Sequence, residues 1–397
     1  MQILRAMSAV KKQPDDYVIR LCAAPGEVPA AAWNALLATQ DLPTPFLRHE
    51  YLAALHDSGS ATVRTGWQQS FVTLWRGEEL HAASALYLKS HSYGEYVFDW
   101  AWANAYEEHG LSYYPKGLVA VPFTPVPGSR LLARDAGSRR ALVEILLALS
   151  RQNELSSLHL LFLSDADVEA CSQAGLMARH TVQFHWLRQG WRSFDEFLAG
   201  LAQEKRKKIR QERRKVAEAG VTFRALRGED IRAADWDFFY RCYERTYREH
   251  GNPPYLKREF FRRMASEMAP HWLLFIAQRE GRDIASSLIA LSDEGASPEA
   301  AYGRYWGALE RVDCLHFEAC YYQPLQWCME HGVDRFEGGA QGEHKMARAL
   351  MPVKTHSAHW LAHPSFADAV ERFLEREGQG VERYLEHLEA RSPFRQA

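Results

Sequence analysis

The sequence predicts an α/β (α+β) fold in which one unit, a mixed twisted sheet flanked by helices, occurs twice along the chain. Three observations lead to this prediction. The chain has 397 residues, which is long for one hydrophobic core and enough for two. Segments with the two-residue period of strands are followed by segments with the 3.6-residue period of helices. Two pairs of similar segments also recur in the same order in both halves.

The clearest repeat joins Met177–Leu187, which reads MARHTVQFHWL, to Met351–Leu361, which reads MPVKTHSAHWL. Met, Thr, His, Trp and Leu coincide in the two segments without a gap. The second pair consists of two predicted β-hairpins, at 71–88 and 273–291, which share an Ala-Ser-x-Leu motif. Chance similarity of two amphipathic hairpins is the alternative. Two matches in the same order favour duplication.

The two copies are expected to contain matching elements, in an N-terminal domain over residues 1–190 and a C-terminal domain over 191–397. In the first copy, helices, the hairpin, a strand, a helix and two strands are expected, in order, at Trp33–Leu37, Arg48–His56, 71–88, Tyr96–Trp100, Arg139–Ser150, Leu158–Leu163 and Thr181–Leu187. In the second copy, the same elements are expected at Asp235–Arg248, Arg258–Met268, 273–291, Ala301–Trp306, His316–His331, Arg335–Gly338 and Thr355–Leu361. A proline-rich loop from about Lys116 to Arg134 is expected to lengthen the first copy.

Composition excludes several classes of protein. The net charge is −2, so the chain as a whole has no electrostatic field suited to nucleic acid or membranes. Six cysteines without a C-x-x-C pair favour free thiols in a reducing compartment. No apolar run approaches the roughly 20 residues of a membrane-spanning helix. Because Met1–Lys12 has no apolar stretch long enough for a signal peptide, a cytoplasmic location is expected.

A strongly basic run lies at Lys205–Lys215, which reads KRKKIRQERRK and ends before a glycine. It predicts a helix over 203–217. Like charges one turn apart repel each other, so a purpose such as binding phosphate oxygens is expected. The side chains predicted to bind an anionic donor are Lys205, Lys207, Lys208 and Arg210. The alternatives are a solvated face paired with acidic residues elsewhere, and a protein that binds RNA through this helix alone.

A glycine-rich segment follows the predicted strand at 335–338 and reads FEGGAQGEHKMAR over Phe336–Arg348. Three glycines allow unusual backbone angles and the close approach of a substrate. Acid-base and anion-binding groups follow within six positions, and we predict a catalytic site consisting of Glu343, His344, Lys345 and Arg348. The candidates for a general base are Glu343, His344 and, more weakly, Glu318. The candidates for charge stabilisation are Lys345, Arg348 and Arg304. The alternative is a turn with exposed charges.

Other polar groups give weaker indications of chemistry. Strand alternation would place Tyr302, Arg304 and Trp306 on one face, where Arg304 would need an anionic partner from the core or a substrate. His356 and His359 would face opposite sides of a strand, so no metal site is predicted. Cys320, one helical turn after His316, is expected to be a packing residue rather than a nucleophile.

Several long motifs resemble the FemAB-like predicted N-acyltransferases, a bacterial family of the GNAT (GCN5-related acetyltransferase) superfamily that is also described as peptidoglycan biosynthesis or recognition proteins. The resemblance extends from about Pro45 to Phe394, and the motifs that carry it lie at 98–103, 113–116, 121–126, 302–307 and 339–345. It implies tandem GNAT domains and transfer of an acyl or aminoacyl group to an amine acceptor, for which a cell-wall precursor is a candidate. It implies substrate-binding roles for Tyr302, Arg304, Trp306, Gly339, Gln341, Gly342, Tyr114, Lys116 and Trp102.

The acyl donor is left open between aminoacyl-tRNA, an acyl carrier protein and acyl-CoA, and no bound cofactor is expected. The sequence lacks the R/Q-x-x-G-x-G/A loop with which GNAT folds hold the pyrophosphate of acyl-CoA. Its absence favours a donor other than acetyl-CoA. A non-catalytic module with two GNAT domains that binds a peptidoglycan precursor or RNA is the alternative function.

Overall fold

The computed structural model describes residues 17–293, 295, 298–340 and 342–395. The chain divides into two compact units. Unit 1 comprises the described residues up to Thr181 together with Lys354–Arg383. Unit 2 comprises Val182–Val353 together with the described residues from Tyr384 onward. The predicted domains 1–190 and 191–397 stay a prediction.

The strands of the described residues are β1 (Val18–Cys22), β2 (Trp67–Arg76), β3 (Glu79–Lys89), β4 (Lys116–Val119), β5 (Leu132–Ala133), β6 (Ser157–Leu161), β7 (Met177–Leu187), β8 (Val221–Arg227), β9 (Trp272–Arg279), β10 (Arg282–Leu291), β11 (Ala300–Ala308), β12 (Arg335–Glu337) and β13 (Met351–Leu361). The helices are α1 (Ala30–Ala38), α2 (His49–Asp57), α3 (Trp100–Glu108), α4 (Ala136–Gln152), α5 (Asp165–Gln173), α6 (Phe194–Gly200), α7 (Gln203–Glu218), α8 (Ala233–Glu249), α9 (Arg258–Glu267), α10 (Leu315–Phe317), α11 (Gln323–Glu330) and α12 (Pro364–Glu389). A π-helix, Glu318–Tyr322, joins α10 to α11, and a 3₁₀ helix spans Glu343–Arg348.

Unit 1 is built on a mixed sheet with the strand order β1-β2-β3-β4-β6-β13, and β5 pairs with β3. All neighbours are antiparallel except β4 and β6, which run parallel. Helix α4 buries an apolar face that includes Leu142 and Leu146 against Leu86 of β3 and Leu158 and Leu160 of β6. Removal of this apolar surface from water stabilises the core.

Unit 2 has a mixed sheet with the order β8-β9-β10-β11-β12-β7. Here β11 and β12 form the parallel pair, and the other neighbours are antiparallel. In each sheet the parallel pair is followed by one antiparallel strand, which is β13 in unit 1 and β7 in unit 2. His359 of β13 lies opposite His159, and His185 of β7 lies opposite Glu337. The two repeated segments therefore occupy equivalent places in the two sheets.

The strand predicted at Tyr96–Trp100 is wrong. Tyr96 has a φ of 64°, which extended backbone does not allow, and α3 begins at Trp100. The next strand of the sheet after β3 is β4, which lies inside the segment expected to be a loop from about Lys116 to Arg134. The aromatic alternation of residues 96–100 imitates a strand, but Glu95 and Asp99 instead turn toward the buried ammonium of Lys116.

Among the described residues, no helix combines the length and the apolar character that crossing a bilayer requires.

Candidate functional site

The glycine-rich turn of unit 2 connects the end of β12 to the 3₁₀ helix Glu343–Arg348. Gly339 has a φ of +89° and Gly342 a φ of +120°, a region that L side chains rarely adopt. A Cβ atom on Gly342 would also lie 2.4 Å from the Cε1 atom of His344. The turn therefore needs glycine at these positions. Gln341, a predicted substrate-binding residue, lies outside the described residues.

Lys345 is buried beneath this turn, with only 3% of its surface exposed. Its Nζ atom donates a hydrogen bond to the carbonyl oxygen of Gly339 over 2.9 Å. Among the residues that the structure describes, no carboxylate forms an ion pair with this ammonium. Burial lowers the pKa of Lys345 to about 8, so the side chain is charged in most molecules at neutral pH. A buried cation without a counter-charge favours an anion at this position.

His344, the residue before Lys345, lines an open cavity. Its Nε2 atom is 3.4 Å from the hydroxyl oxygen of Tyr321. Burial, and then the charges of Lys345 and Arg348, lower the pKa of His344 below its ordinary value, so the imidazole is neutral at pH 7 and can accept a proton. The cavity has a volume of about 550 Å³, and its charged lining residues are Lys205, Glu343 and Arg391.

Arg348 does not converge with Lys345 on a common anion. The guanidinium of Arg348 forms a buried ion pair with Glu212 of α7, at 2.9 and 3.1 Å, and packs over the ring of Phe317 at 3.6 Å. Glu212 also accepts a hydrogen bond from the Tyr322 hydroxyl. Arg348 further donates to the carbonyl oxygen of His344 over 2.9 Å. Arg348 therefore fixes the 3₁₀ helix to α7 rather than presenting a free charge.

Two other predicted base candidates are engaged in ion pairs. Glu343 pairs with Arg391 and accepts a hydrogen bond from Tyr384 over 3.3 Å. Glu318 is buried and pairs with Arg213 over 3.0 Å. His344 is the predicted base for which the structure records no ion pair within the described residues.

Sequence reasoning missed Glu212, Tyr321 and Tyr322. A signal for Glu212 was present, because it is the only acidic residue in the basic run. Tyr321 and Tyr322 lie on the π-helix, which shifts side chains around the axis relative to an α-helix, and no sequence pattern indicated this.

The basic run forms α7, in which Ile209, Glu212 and Val216 are buried. The opposite side carries Lys207, Lys208 and Arg210, which are exposed and form no ion pair with any described carboxylate. Lys205 is half-buried, lies 3.5 Å from Glu204 and lines the cavity. The helix thus extends from the cavity to a face of free cations.

The predicted common face of Tyr302, Arg304 and Trp306 is interrupted by a β-bulge, at which the pairing of β10 with β11 shifts between Leu288 and Ile289. Tyr302 is buried, and Arg304 donates to the hydroxyl of Tyr305 over 3.2 Å. Trp306 packs against His316, with ring centres 5.4 Å apart. The bulge therefore changes which side chains share a face.

The three predicted substrate-binding residues of unit 1 belong to a buried polar cluster. The Nζ atom of Lys116 donates to Ser92, Glu95 and Asp99, so all its N–H donors are engaged. Tyr114 contacts Ser92 over 2.8 Å between hydroxyl oxygens. The ring of Trp102 packs against His159 and His359. We therefore do not include these residues in the site around Lys345.

The remaining histidines and Cys320 have structural surroundings. His359 lies 2.8 Å from His159, and His356 lies 3.0 Å from His180, between Nδ1 atoms. No group of three or more potential metal ligands occurs in the part of the chain that the structure describes. Burial raises the pKa of the Cys320 thiol to about 12, which does not favour a thiolate nucleophile.

Comparisons with known proteins agree with this architecture. A family model described as FemAB-like, peptidoglycan biosynthesis/recognition, matches residues 25–396. The structure of FemX is similar, with a TM-score of 0.53 and 10% identity, over 87% of this chain and 98% of that chain. The C-terminal domain of a putative lysylphosphatidylglycerol synthetase from Agrobacterium fabrum gives a TM-score of 0.53 and 10% identity, over 88% and 97% of the two chains. L-PGS from Bacillus licheniformis gives a TM-score of 0.51 and 10% identity, over 88% of this chain and 97% of that chain.

The predicted fold class of two α/β units, each with a mixed sheet flanked by helices, is confirmed. No curated protein matches the sequence.

Proposed function

Because the chain belongs to the FemAB-like family of peptidoglycan biosynthesis and recognition proteins, we propose that it is an N-acyltransferase that moves an acyl or aminoacyl group from an activated donor to an amine acceptor. The observation that carries the proposal is Lys345, a buried ammonium beneath a glycine-rich turn with no carboxylate partner among the described residues. The name of one structural relative, lysylphosphatidylglycerol synthetase, also describes the attachment of an amino acid, which supports an aminoacyl donor.

Amide formation requires two contributions from the protein, which are stabilisation of an oxyanion and transfer of a proton. The amine nitrogen attacks the carbonyl carbon of the donor ester or thioester, and the carbonyl oxygen becomes an oxyanion. Lys345, pre-positioned and without a counter-ion among the described residues, stabilises that oxyanion by charge and hydrogen bonding. The amine also loses a proton, and the leaving oxygen or sulfur gains one when the bond to the carbonyl carbon breaks.

His344 is the group best suited to accept the proton from the amine. Its pKa is lowered, so it is neutral at physiological pH, and it lines the cavity that borders the 3₁₀ helix, where we place the acceptor. Glu343 and Glu318 are both held in ion pairs and are less suited to this role. Proton transfer by the substrate itself is the alternative, and replacement of His344 would then have little effect on the rate.

The cavity and α7 suggest how the two substrates are bound. The cavity lining carries Lys205 and Arg391 against the single carboxylate of Glu343, which favours an anionic part of the acceptor, such as a phosphate or carboxylate of a cell-wall precursor. The free cations Lys207, Lys208 and Arg210 favour a donor that carries several phosphates, as tRNA does. Acyl carrier protein and acyl-CoA are the other donors to be compared.

A transfer assay tests this proposal. The purified protein is incubated with aminoacyl-tRNA charged with labelled amino acids and with a nucleotide-linked muropeptide that bears a free amine. Parallel reactions contain acyl carrier protein or acyl-CoA donors. Mass spectrometry then measures the amide product and the consumption of donor ester. We expect an amide product that requires both substrates.

The non-catalytic alternative gives a different result in the same experiment. If the protein binds the muropeptide or tRNA tightly and forms no amide with any donor, it is a binding module and the transferase proposal is wrong. If RNA alone binds and the acceptor does not, α7 acts as an RNA-binding element.

A further inference from the structure

Unit 1 contains an apolar groove that has no role in the chemistry proposed for unit 2. The groove has a volume of about 720 Å³ and lies between α3 and the N-terminal part of α12. Ala101 and Ala105 of helix α3, and His109 directly after its end, are spaced one turn apart and line one side. Helix α12 contributes Ala369 and Phe373 with the same spacing. The two helices pack through Tyr106 and Phe366, whose ring centres are 4.2 Å apart, and an open apolar groove lies along this contact.

Exposed apolar side chains concentrate in and beside this groove. Among the described residues of unit 1, the large hydrophobic side chains that are exposed include Leu111 at 39% and Phe373 at 37%, which line the groove. Trp100, at 37%, directly precedes the first lining residue, Ala101, and Phe98, at 52%, lies two positions before Trp100. Tyr93, at 58%, contacts the ring of Trp100. Only Val18 and Val63 of this exposed set lie elsewhere in the described sequence of unit 1. Clustered exposure of this kind marks a binding surface.

The charges of the groove indicate the chemistry of its ligand. The described residues that line it include no lysine, arginine, aspartate or glutamate, and their titratable side chains are His109 and His363. Both imidazoles contact the ring of Phe366, with ring centres 5.4 and 5.3 Å away, so they lie at the same end of the groove. Apolar walls without lysine or arginine do not suit an anionic membrane surface. The Nδ1 atom of His109 donates to the carbonyl oxygen of Ala105 over 2.8 Å, so its Nε2 atom can accept the O–H of a carboxyl group while His363 donates to the carbonyl oxygen of that group.

The size of the groove argues against a protein partner. Eleven of the residues that the structure describes line it, whereas a stable protein interface takes roughly 20–30 residues on each side. Its volume lies within the range of about 300–1,000 Å³ that is usual for small-molecule sites. A single extended chain fits such a channel better than a folded surface does.

We propose that this groove binds one long fatty acyl chain, with its carboxyl end toward His109 and His363 and its hydrocarbon end toward Phe373. Trp102 forms part of the lining, so its indole contacts the chain. The proposal does not depend on the transferase activity, because all its residues belong to unit 1 and none belongs to the site around Lys345. The groove gives the protein a lipid-binding function in addition to the proposed chemistry.

Palmitic acid below its critical micelle concentration is the probe, with binding followed by calorimetry. The variant Ala369→Trp places an indole in the groove at an exposed position, so the fold is expected to survive. We expect palmitate affinity to fall at least about tenfold, because the apolar surface of the groove is covered by the new side chain. The matched control is Ala35→Trp on the exposed side of α1, which should leave affinity unchanged.

A second pair of measurements tests the orientation of the chain. The double variant His109→Ala, His363→Ala should weaken palmitate binding several-fold and leave the binding of hexadecanol, which has no carboxyl group, nearly unchanged. A fatty acid with a photoreactive group at its terminal carbon should label peptides of α3 or α12 around Phe373 and not the β1–β2 region.

Three results would overturn the proposal. The first is that palmitate binds with equal affinity to the wild type and to folded Ala369→Trp, or does not bind to the wild type at all. The protein sediments with phosphatidylcholine vesicles but does not bind dispersed palmitate, in which case the groove meets a bilayer. A concentration-dependent dimer is abolished in Ala369→Trp while palmitate has no effect, in which case a second copy of the chain covers the groove.

Discussion

The buried ion pair between Arg348 and Glu212 gives a sharp test of how the catalytic turn is held. The side chains are 3% and 10% exposed, so neither charge is well solvated. Replacement of Arg348 by Met leaves the Glu212 carboxylate buried, and the Tyr322 hydroxyl is then its only hydrogen-bond partner among the described residues. Removing one member of a buried pair typically costs about 3–5 kcal/mol, and we expect a decrease of this size in the free energy of unfolding of unit 2.

The double variant Arg348→Met, Glu212→Leu should recover most of this decrease. Apolar residues of similar volume often replace a buried ion pair at little net cost. Arg214→Met is the matched control, because Arg214 lies on α7, the helix that carries Glu212. Its ion pair with Glu218 is exposed and worth about 0.5 kcal/mol or less.

The measurement is hydrogen exchange by mass spectrometry on peptides covering 203–218 and 335–350. It reports the free energy of local opening of this region and does not require the whole chain to unfold in one step. If Arg348→Met changes protection no more than Arg214→Met, or if the double variant is no better than the single one, the ion pair does not hold the 3₁₀ helix against α7. The assignment of Arg348 as a positioning residue would then fail.

Three other predictions concern the same site. The pH profile of kcat/KM for transfer should fall on the acid side as His344 becomes protonated, below its ordinary range near 6.5, and on the alkaline side near pH 8 as Lys345 loses its proton. His344→Gln should remove the acid limb, and an unchanged limb would exclude His344 as the base. The second variant replaces Lys207, Lys208 and Arg210 by alanine. It should reduce the slope of log affinity for tRNA against log salt concentration by about 0.9 for each phosphate that α7 no longer neutralises. An unchanged slope would mean that these side chains only face solvent and do not bind tRNA. Gly342→Ala should cost about 1–3 kcal/mol in backbone strain and displace the ring of His344, so exchange in 338–348 should rise and the transfer rate should fall. Gly220→Ala, which has positive φ but no atom within 4 Å of a new Cβ, is its control.

The fold class was predictable because its signals are local and repeated. The segments 177–187 and 351–361 share sequence and occupy equivalent strands, and the hairpins at 71–88 and 273–291 form β2–β3 and β9–β10. Strand period and turn residues suffice for such elements. The sequence could not indicate which sheet each final strand joins. That choice depends on long-range pairing, which leaves no trace in the periodicity of a single strand.

The failures of prediction have specific causes. Residues 96–100 alternate like a strand, but the ion pairs of Glu95 and Asp99 with Lys116 draw the chain into a turn before α3. A β-bulge at Leu288–Ile289 breaks the predicted common face of Tyr302 and Trp306. Both depend on tertiary contacts, which override local pattern.

The candidate site was only partly predictable. The sequence located the glycine-rich turn and Lys345, because glycines and charges after a strand are visible in one dimension. The sequence did not separate the roles of Lys345 and Arg348, since both are cations three positions apart. Only the structure pairs Arg348 with Glu212, more than a hundred residues away in the chain, and leaves Lys345 without a carboxylate partner among the described residues.

The most direct test of the central claim is the single-turnover rate of amide formation by Lys345→Ala, with the donor and acceptor that the wild type uses. The variant should be slower by on the order of 10²–10³ while its affinity for the acceptor and its fold are retained, because the interaction that it removes is made mainly in the transition state. Lys215→Ala, an exposed lysine of α7, should match the wild type in rate. A rate for Lys345→Ala within about twofold of the Lys215→Ala control, with the fold intact, would contradict the assignment of the transfer site to the glycine-rich turn.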